Sequence, residues 1–170
     1  YKKNDNPEGL ALSYSTLAVV EENASNYDNA LKAFSSSLKY NVEIGEEFVI
    51  ANELRRIGRI YYLRLNRFQE ARKYFSQANE LFTTLAQDLR EELTSAEEED
   101  VADLKQVLEF CRKGQISSLL ELGLVAEKEG DFKQALEFYA EGQSLGEEFS
   151  LMSGLAKAFL YQANSHWFQG

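Results

Sequence analysis

Two residue types that serve as nucleophile or base at neutral pH occur once each, as Cys111 and His166. A Ser-His-Asp or Cys-His system would have to recruit His166, which stands next to Trp167 near the end of the chain. Cys111 falls on the apolar stripe of Val101, Leu104 and Leu108, which predicts a buried structural thiol rather than a reactive one. One cysteine and one histidine supply neither an intramolecular disulfide nor a zinc cluster. The run Glu97-Glu98-Glu99-Asp100 lacks the alternating ligands and mid-loop glycine of a calcium loop. It reads instead as a solvated helix start, favoured by the helix dipole. There is no GxGxxG after a strand, no GxxxxGKS/T, no HExxH and no GxSxG. No catalytic residue, metal ligand or cofactor is expected, and the chain reads as a non-enzyme.

The charges, by contrast, are segregated. Residues 51–75 hold Arg55, Arg56, Arg59, Arg64, Arg67, Arg72 and Lys73 against Glu53 and Glu70, a net of +5. Residues 88–109 hold nine acids against Arg90 and Lys105, a net of −7. Arg55, Arg59 and Tyr62 are spaced i, i+4, i+7 and share one face of any helix that carries them. A guanidinium fork matches carboxylate or phosphate, and a tyrosine beside it adds a flat apolar anchor. Three readings stand side by side. The arginines form an anion-binding face; or they are a solvated face with local pairs such as Glu53 with Arg56, each worth under ~1 kcal/mol; or the acidic stretch folds against them and satisfies them internally.

Composition narrows the classes further. The 170 residues are 44% hydrophobic and 27% charged, enough to bury one domain's core without disulfides or metals. The net charge of −10 argues against generic nucleic-acid binding, because each phosphate contact needs a cation and the bulk field repels a polyanion. Apolar runs fall far short of the ~20 residues of a membrane span, so no membrane insertion is expected. The chain begins at Tyr1 rather than Met and stops at Gly170 partway through a repeating unit, so it reads as a piece of a longer protein. Cytoplasm is the default compartment, with a periplasmic or tethered parent left open.

Helices must hold these side chains, since nothing resembles a strand. Apolar residues recur at helical spacing: Leu17 and Val20; Ala30, Leu31, Phe34 and Leu38; Leu54, Ile57, Ile60 and Tyr61. Residues 1–8, with the single proline Pro7, read as a flexible N-terminal segment. Gly45, Gly114, Gly130 and Gly146 fall where helix C-termini favour a left-handed residue. One unbroken stripe from Ala71 through Phe75, Ala78, Phe82, Leu85 and Leu89 to Leu93 predicts a helix of roughly 25 residues. Thr94 with Glu97, or Ser95 with Glu98, offers a capping box for a further helix that carries Cys111 and ends at Gly114. The stretch 84–114 is either a degenerate repeat or an inserted acidic hairpin.

A unit recurs along the chain. Tyr27-x2-Ala30-x3-Phe34 returns as Phe68-x2-Ala71-x3-Phe75 and as Phe132-x2-Ala135-x3-Tyr139. Each copy follows a helix with a small residue at the crossing: Ala18, Gly58 and Gly123. Ala158, Tyr161, Phe168 and Gln169 echo Gly58, Tyr61, Phe68 and Gln69 at a spacing of 100 residues. These units resemble tetratricopeptide repeats, which run large apolar, x2, Leu-Gly, x2, aromatic, then Ala, x3, aromatic over about 34 residues. The fullest match is Leu119-x2-Leu122-Gly123 with Ala135 and Tyr139. The family's closing proline is missing from every copy, the second copy has one extra residue before Phe68, and Ala18 to Gly58 spans 40 residues, as in the longer-period subgroup.

The resemblance implies an all-α fold: a right-handed α-solenoid of antiparallel helix pairs, with about 8–9 helices. Repeats would lie at about 11–48, 49–83 and 115–148, with a partial one at 149–170, all in one domain over 9–170. In this family the first helix of each repeat lines a concave groove that binds peptides or partner helices, which would place Asn52, Arg55, Arg56, Arg59 and Tyr62 there. The positions of the clamp that holds chaperone C-termini look like Ser15, Val19, Arg56, Ser117 and Glu121, so that clamp is missing. The expected function is a non-enzymatic protein–protein interaction module whose partner is an acidic peptide or helix. Two alternatives remain. One is a regulatory or sensor segment of a larger signalling protein. The other is a structural unit that self-associates through its truncated last repeat, where Leu155, Phe159, Trp167 and Phe168 would expose apolar surface.

Overall fold

The computed structural model describes residues 6–149 and residue 161. The described residues form six helices and no strand: α1 (Pro7–Asn23), α2 (Tyr27–Ile44), α3 (Glu47–Leu63), α4 (Phe68–Leu93), α5 (Val101–Glu129) and α6 (Phe132–Glu148). Proline at the first position of α1 gives up a hydrogen bond that no helix start would make, and the Asn6 side chain accepts from the Gly9 N–H at 3.0 Å. The helix therefore opens inside the segment read as flexible; residues 1–5 of that segment lie outside the described ones. Left-handed Gly45 and Gly130, with φ of 77° and 81°, end α2 and α5.

Gly114 and Gly146 do not end helices, contrary to the expectation from spacing. Both are buried inside helices, and α5 runs through Gly114 for 29 residues. The capping box is not formed either. The Thr94 and Ser95 hydroxyls donate backwards to the Glu91 and Glu92 carbonyls, at 2.7 and 3.3 Å, and α5 begins only after Asp100. Residues 84–114 are thus the end of α4, a link and the first half of α5. The described residues therefore hold six helices where eight or nine were expected for the chain, and the partial repeat at 149–170 lies outside the described residues except for Phe149 and Tyr161.

The reason for Gly114 is packing. A Cβ placed there would sit 2.5 Å from Phe82 Cζ, just as one at Gly58 would sit 2.6 Å from Phe75 Cε1 and one at Gly123 2.1 Å from Tyr139 Cε1. Each of these rings is fully buried, and each needs a helix without a side chain beneath it. Mid-helix glycine costs about 1 kcal/mol relative to alanine, and burying a large side chain returns about 1.5–3 kcal/mol, so the ring contact wins.

Neither the α1–α2 pair nor the α3–α4 pair closes its own core. Ile57 and Ile60 of α3 complete the cluster around Ala18, Ala30 and Phe34, and Leu122 and Val125 of α5 complete the one around Ala71 and Phe75. Phe82, Ala86 and Cys111, with Leu89 and Leu108 beside them, fill the long α4–α5 hairpin. Burial pushes the Cys111 thiol up, away from the thiolate form that would make it reactive.

Candidate functional site

The α3 helix turns Ala51, Ile57, Gly58 and Ile60 into the core. The same register puts Arg55, Arg59 and Tyr62 on the flank that looks across at α5. They meet Ser117, Leu120, Glu121 and Leu124 there, and with Leu63, Phe75 and Tyr161 they line a cavity of about 260 Å³. Its floor is apolar and its rim is charged. Arg55 Nη1 donates to Glu121 Oε1 at 3.3 Å, and Arg59 Nε stands 3.7 Å from the same oxygen. Arg55 Nε is buried and has no hydrogen-bond partner among the described residues, and the Arg59 side chain is 51% exposed. The Tyr62 ring leans on Phe68 at 5.7 Å. Burial, with Glu127 adding to it, pushes the Tyr62 phenol up and keeps it a neutral donor.

The other two residues expected on this face stand outside the cavity. Arg56 reaches the opposite way, donating from Nε and Nη2 to Glu22 Oε2 of α1 at 3.2 and 2.7 Å, with its guanidinium over the Phe34 ring at 5.5 Å. Asn52 donates to the Phe48 carbonyl one turn back in its own helix, at 2.9 Å. Glu53, the expected surface partner of Arg56, is buried and bonded to Ser37 instead. The remaining arginines are also held within the chain. Arg72 donates to Gln134 at 2.7 Å and pairs with Glu129, Arg67 pairs with Glu70, and Arg64 lies over the Tyr27 ring at 5.6 Å.

Internal pairing therefore occurs, but not with the acidic stretch. The carboxylates come from Glu22, Glu121 and Glu129, whereas Glu97, Glu98, Glu99 and Asp100 are exposed at the far tip of the α4–α5 hairpin. The physical reason is length: α4 and α5 pack against each other along their extended halves, which carries their acids away from α3. The arginines consequently stitch one helix pair to the next, α3 to α1 and to α5, and α4 to α5 and α6. Arg56→Ala is expected to cost about 1 kcal/mol, as an ion pair and a ring contact are lost together. Calorimetry should register a fall in Tm of roughly 2–4 °C, shrinking in concentrated salt.

No helix of the described residues is long and apolar enough to cross a membrane, and none of their His, Cys, Asp and Glu side chains gather in threes as a metal site would require. His166, Leu155, Phe159, Trp167 and Phe168 lie outside the described residues.

The tetratricopeptide repeat family model matches residues 56–83 and 116–145. These segments cover the second half of α3 with the first part of α4, and the second half of α5 with most of α6. No curated protein matches the chain. Among solved structures, BtubC (BKLC) from P. vanneervenii is similar at 20% identity over 87% of this chain and 67% of that one, with a TM-score of 0.43.

Proposed function

We propose that this chain, two segments of which match the tetratricopeptide repeat family model, is a non-enzymatic interaction module that takes up an acidic peptide or helix of a partner. Such repeats generally mediate protein–protein interaction. In this reading the helix pairs continue as a right-handed α-solenoid, and α3 and α5, as first helices of successive repeats, present its concave face. The observation that carries the reading is the convergence of Arg55, Arg59 and Tyr62 on one apolar-floored cavity between those helices. A partner carboxylate would take the half-exposed Arg59 and compete with Glu121 for Arg55 Nη1, while an apolar neighbour filled the floor over Leu120 and Leu124.

Selection from a random-peptide library tests this. Peptides retained by the wild type are expected to be rich in Asp and Glu, to bind about tenfold or more weakly to an Arg55→Ala/Arg59→Ala variant, and to weaken as salt rises. Glu121→Gln removes the resident competitor and should tighten binding. Circular dichroism confirms that each variant is folded. Peptides without acidic bias, or held equally by the double variant, would leave the arginines as stitches between repeats and nothing more.

A further inference from the structure

Glu53 is 3% exposed, a carboxyl enclosed where α1, α2 and α3 meet. It is not part of the cavity described above. Its Oε1 lies 2.6 Å from Ser37 Oγ of α2, and its Oε2 lies 3.4 Å from Asn41 Nδ2 of the same helix. Ser37 Oγ in turn lies 3.0 Å from the Ala11 carbonyl of α1 and 3.1 Å from Asn41 Nδ2. The Ser15 hydroxyl of α1 completes the surroundings.

The hydrogens in this cluster can be counted. Ser37 has one hydroxyl hydrogen, yet it faces two acceptors, the Ala11 carbonyl and Glu53. Asn41 Nδ2 can only donate to it. If Glu53 is ionised, the Ser37 hydrogen must go either to the carboxylate or to the carbonyl, and one of the two contacts becomes acceptor against acceptor. If Glu53 carries the proton, every contact is satisfied: Glu53 donates to Ser37 Oγ, Ser37 donates to the Ala11 carbonyl, Asn41 donates to Ser37 Oγ and to Glu53 Oε2, and the Ser15 hydroxyl donates to the carboxyl as it would to the ionised form. An O···O separation of 2.6 Å suits the first of these bonds.

We propose that Glu53 is a proton-operated latch: protonated, it ties α1 and α2 to α3 through Ser37, and on losing its proton it loosens the α1–α2 pair from the rest of the molecule. Among the charged groups around it, Arg56 of its own helix acts on it and favours the ionised form, but that guanidinium is already committed to Glu22. From α1 and α2 the partners are hydroxyls and an amide, with no cation. Burial, the largest influence, lifts the Glu53 carboxyl above the ordinary glutamate value of 4.5, against Ser37, Ser15, Asn41 and Arg56, which lower it. A carboxyl raised in the folded state contributes stability that is present in full below the unfolded value and is lost as pH rises through the folded one. The latch therefore opens towards higher pH.

Glu53→Gln provides the test, because its amide can donate to Ser37 while its carbonyl accepts from Asn41, fixing the protonated pattern at every pH. Urea unfolding of both proteins from pH 4 to 8 should show the folding constant of the wild type, relative to the variant, falling by up to about tenfold per pH unit across the window that starts near 4.5. Hydrogen exchange at α1 and α2 should accelerate over the same window in the wild type alone, after correction for intrinsic rates, with α5 and α6 unaffected. A ratio that is flat with pH would overturn the proposal, as would a variant less stable than wild type by the same factor throughout. Should the variant not fold, a carbon-detected titration of the wild-type Glu53 carboxyl decides: a midpoint at or below the ordinary glutamate range would sink the latch.

Discussion

Replacing Phe82 by alanine is expected to destabilise the protein by about 3–5 kcal/mol, the cost of deleting a fully buried ring and leaving a cavity that the neighbours fill only in part. Phe82 is not one of the three repeat aromatics, Phe34, Phe75 and Tyr139, from which the fold is legible. It nevertheless occupies the centre of the α4–α5 hairpin, over Gly114, with Phe48 edge-on at 6.0 Å and Ala51, Ala78 and Cys111 in the same cluster. Because that cluster includes residues of α3, α4 and α5, losing it weakens the junction between repeats and not only the hairpin tip. For a chain of this length the loss corresponds to roughly 10 °C or more in Tm. Thermal unfolding followed by circular dichroism checks it, and a change of only a degree or two would mean that the extended halves of α4 and α5 are decoration on an independently stable core.

Gly123→Ala is expected to destabilise as well, by about 2 kcal/mol, although alanine is the better helix former. Two effects oppose each other. The intrinsic gain is about 1 kcal/mol, while forcing a methyl group into a packed core typically costs 1–3 kcal/mol or somewhat more. Here the methyl carbon would sit 2.1 Å from a ring carbon of Tyr139, which is fully buried and has nowhere to turn, so overpacking wins. Gly142→Ala is the matched control in the neighbouring helix. Its nearest contact would be 3.5 Å from Leu120 Cδ2, ordinary van der Waals distance, and its φ is not in the left-handed region, so the propensity gain should survive and stabilise by about 0.5–1 kcal/mol. Denaturant unfolding of the two variants should give opposite signs. Equal signs would show that small residues at the helix crossings are not what brings the pairs together.

The all-α class and the small-residue and aromatic units were legible because they are local: Gly58 with Phe75 and Gly123 with Tyr139 lie within one hairpin and repeat in register. Gly114 was misread because its partner Phe82 stands 32 residues away across a link of unusual position, so spacing alone suggested a stop. A clue was present, since Ala78-x3-Phe82 repeats Ala71-x3-Phe75 one heptad on, and an aromatic of that kind needs a small residue opposite. Glu53 carried a clue too. It lies four and seven residues before Ile57 and Ile60, in core register, where a carboxylate has to be bonded or protonated. The direction in which each arginine turns was not legible. Arg55 and Arg56 are neighbours in sequence, yet 100° of helical rotation sends one to α5 and the other to α1, and the acids that receive them lie 66 and 34 residues away.

The central functional claim is that the α3–α5 face receives an acidic partner through Arg55 and Arg59. The most direct measurement is a nuclear magnetic resonance titration of the folded protein with an acidic peptide taken from the library selection, following the arginine Nε–H signals and the Glu121 carboxyl carbon. The account predicts that Arg55, Arg59 and Glu121 shift together and saturate with the peptide, while Arg67 and Arg72, paired elsewhere, stay in place. Shifts confined to other residues, or a Glu121 signal that does not move while the peptide binds, would contradict it.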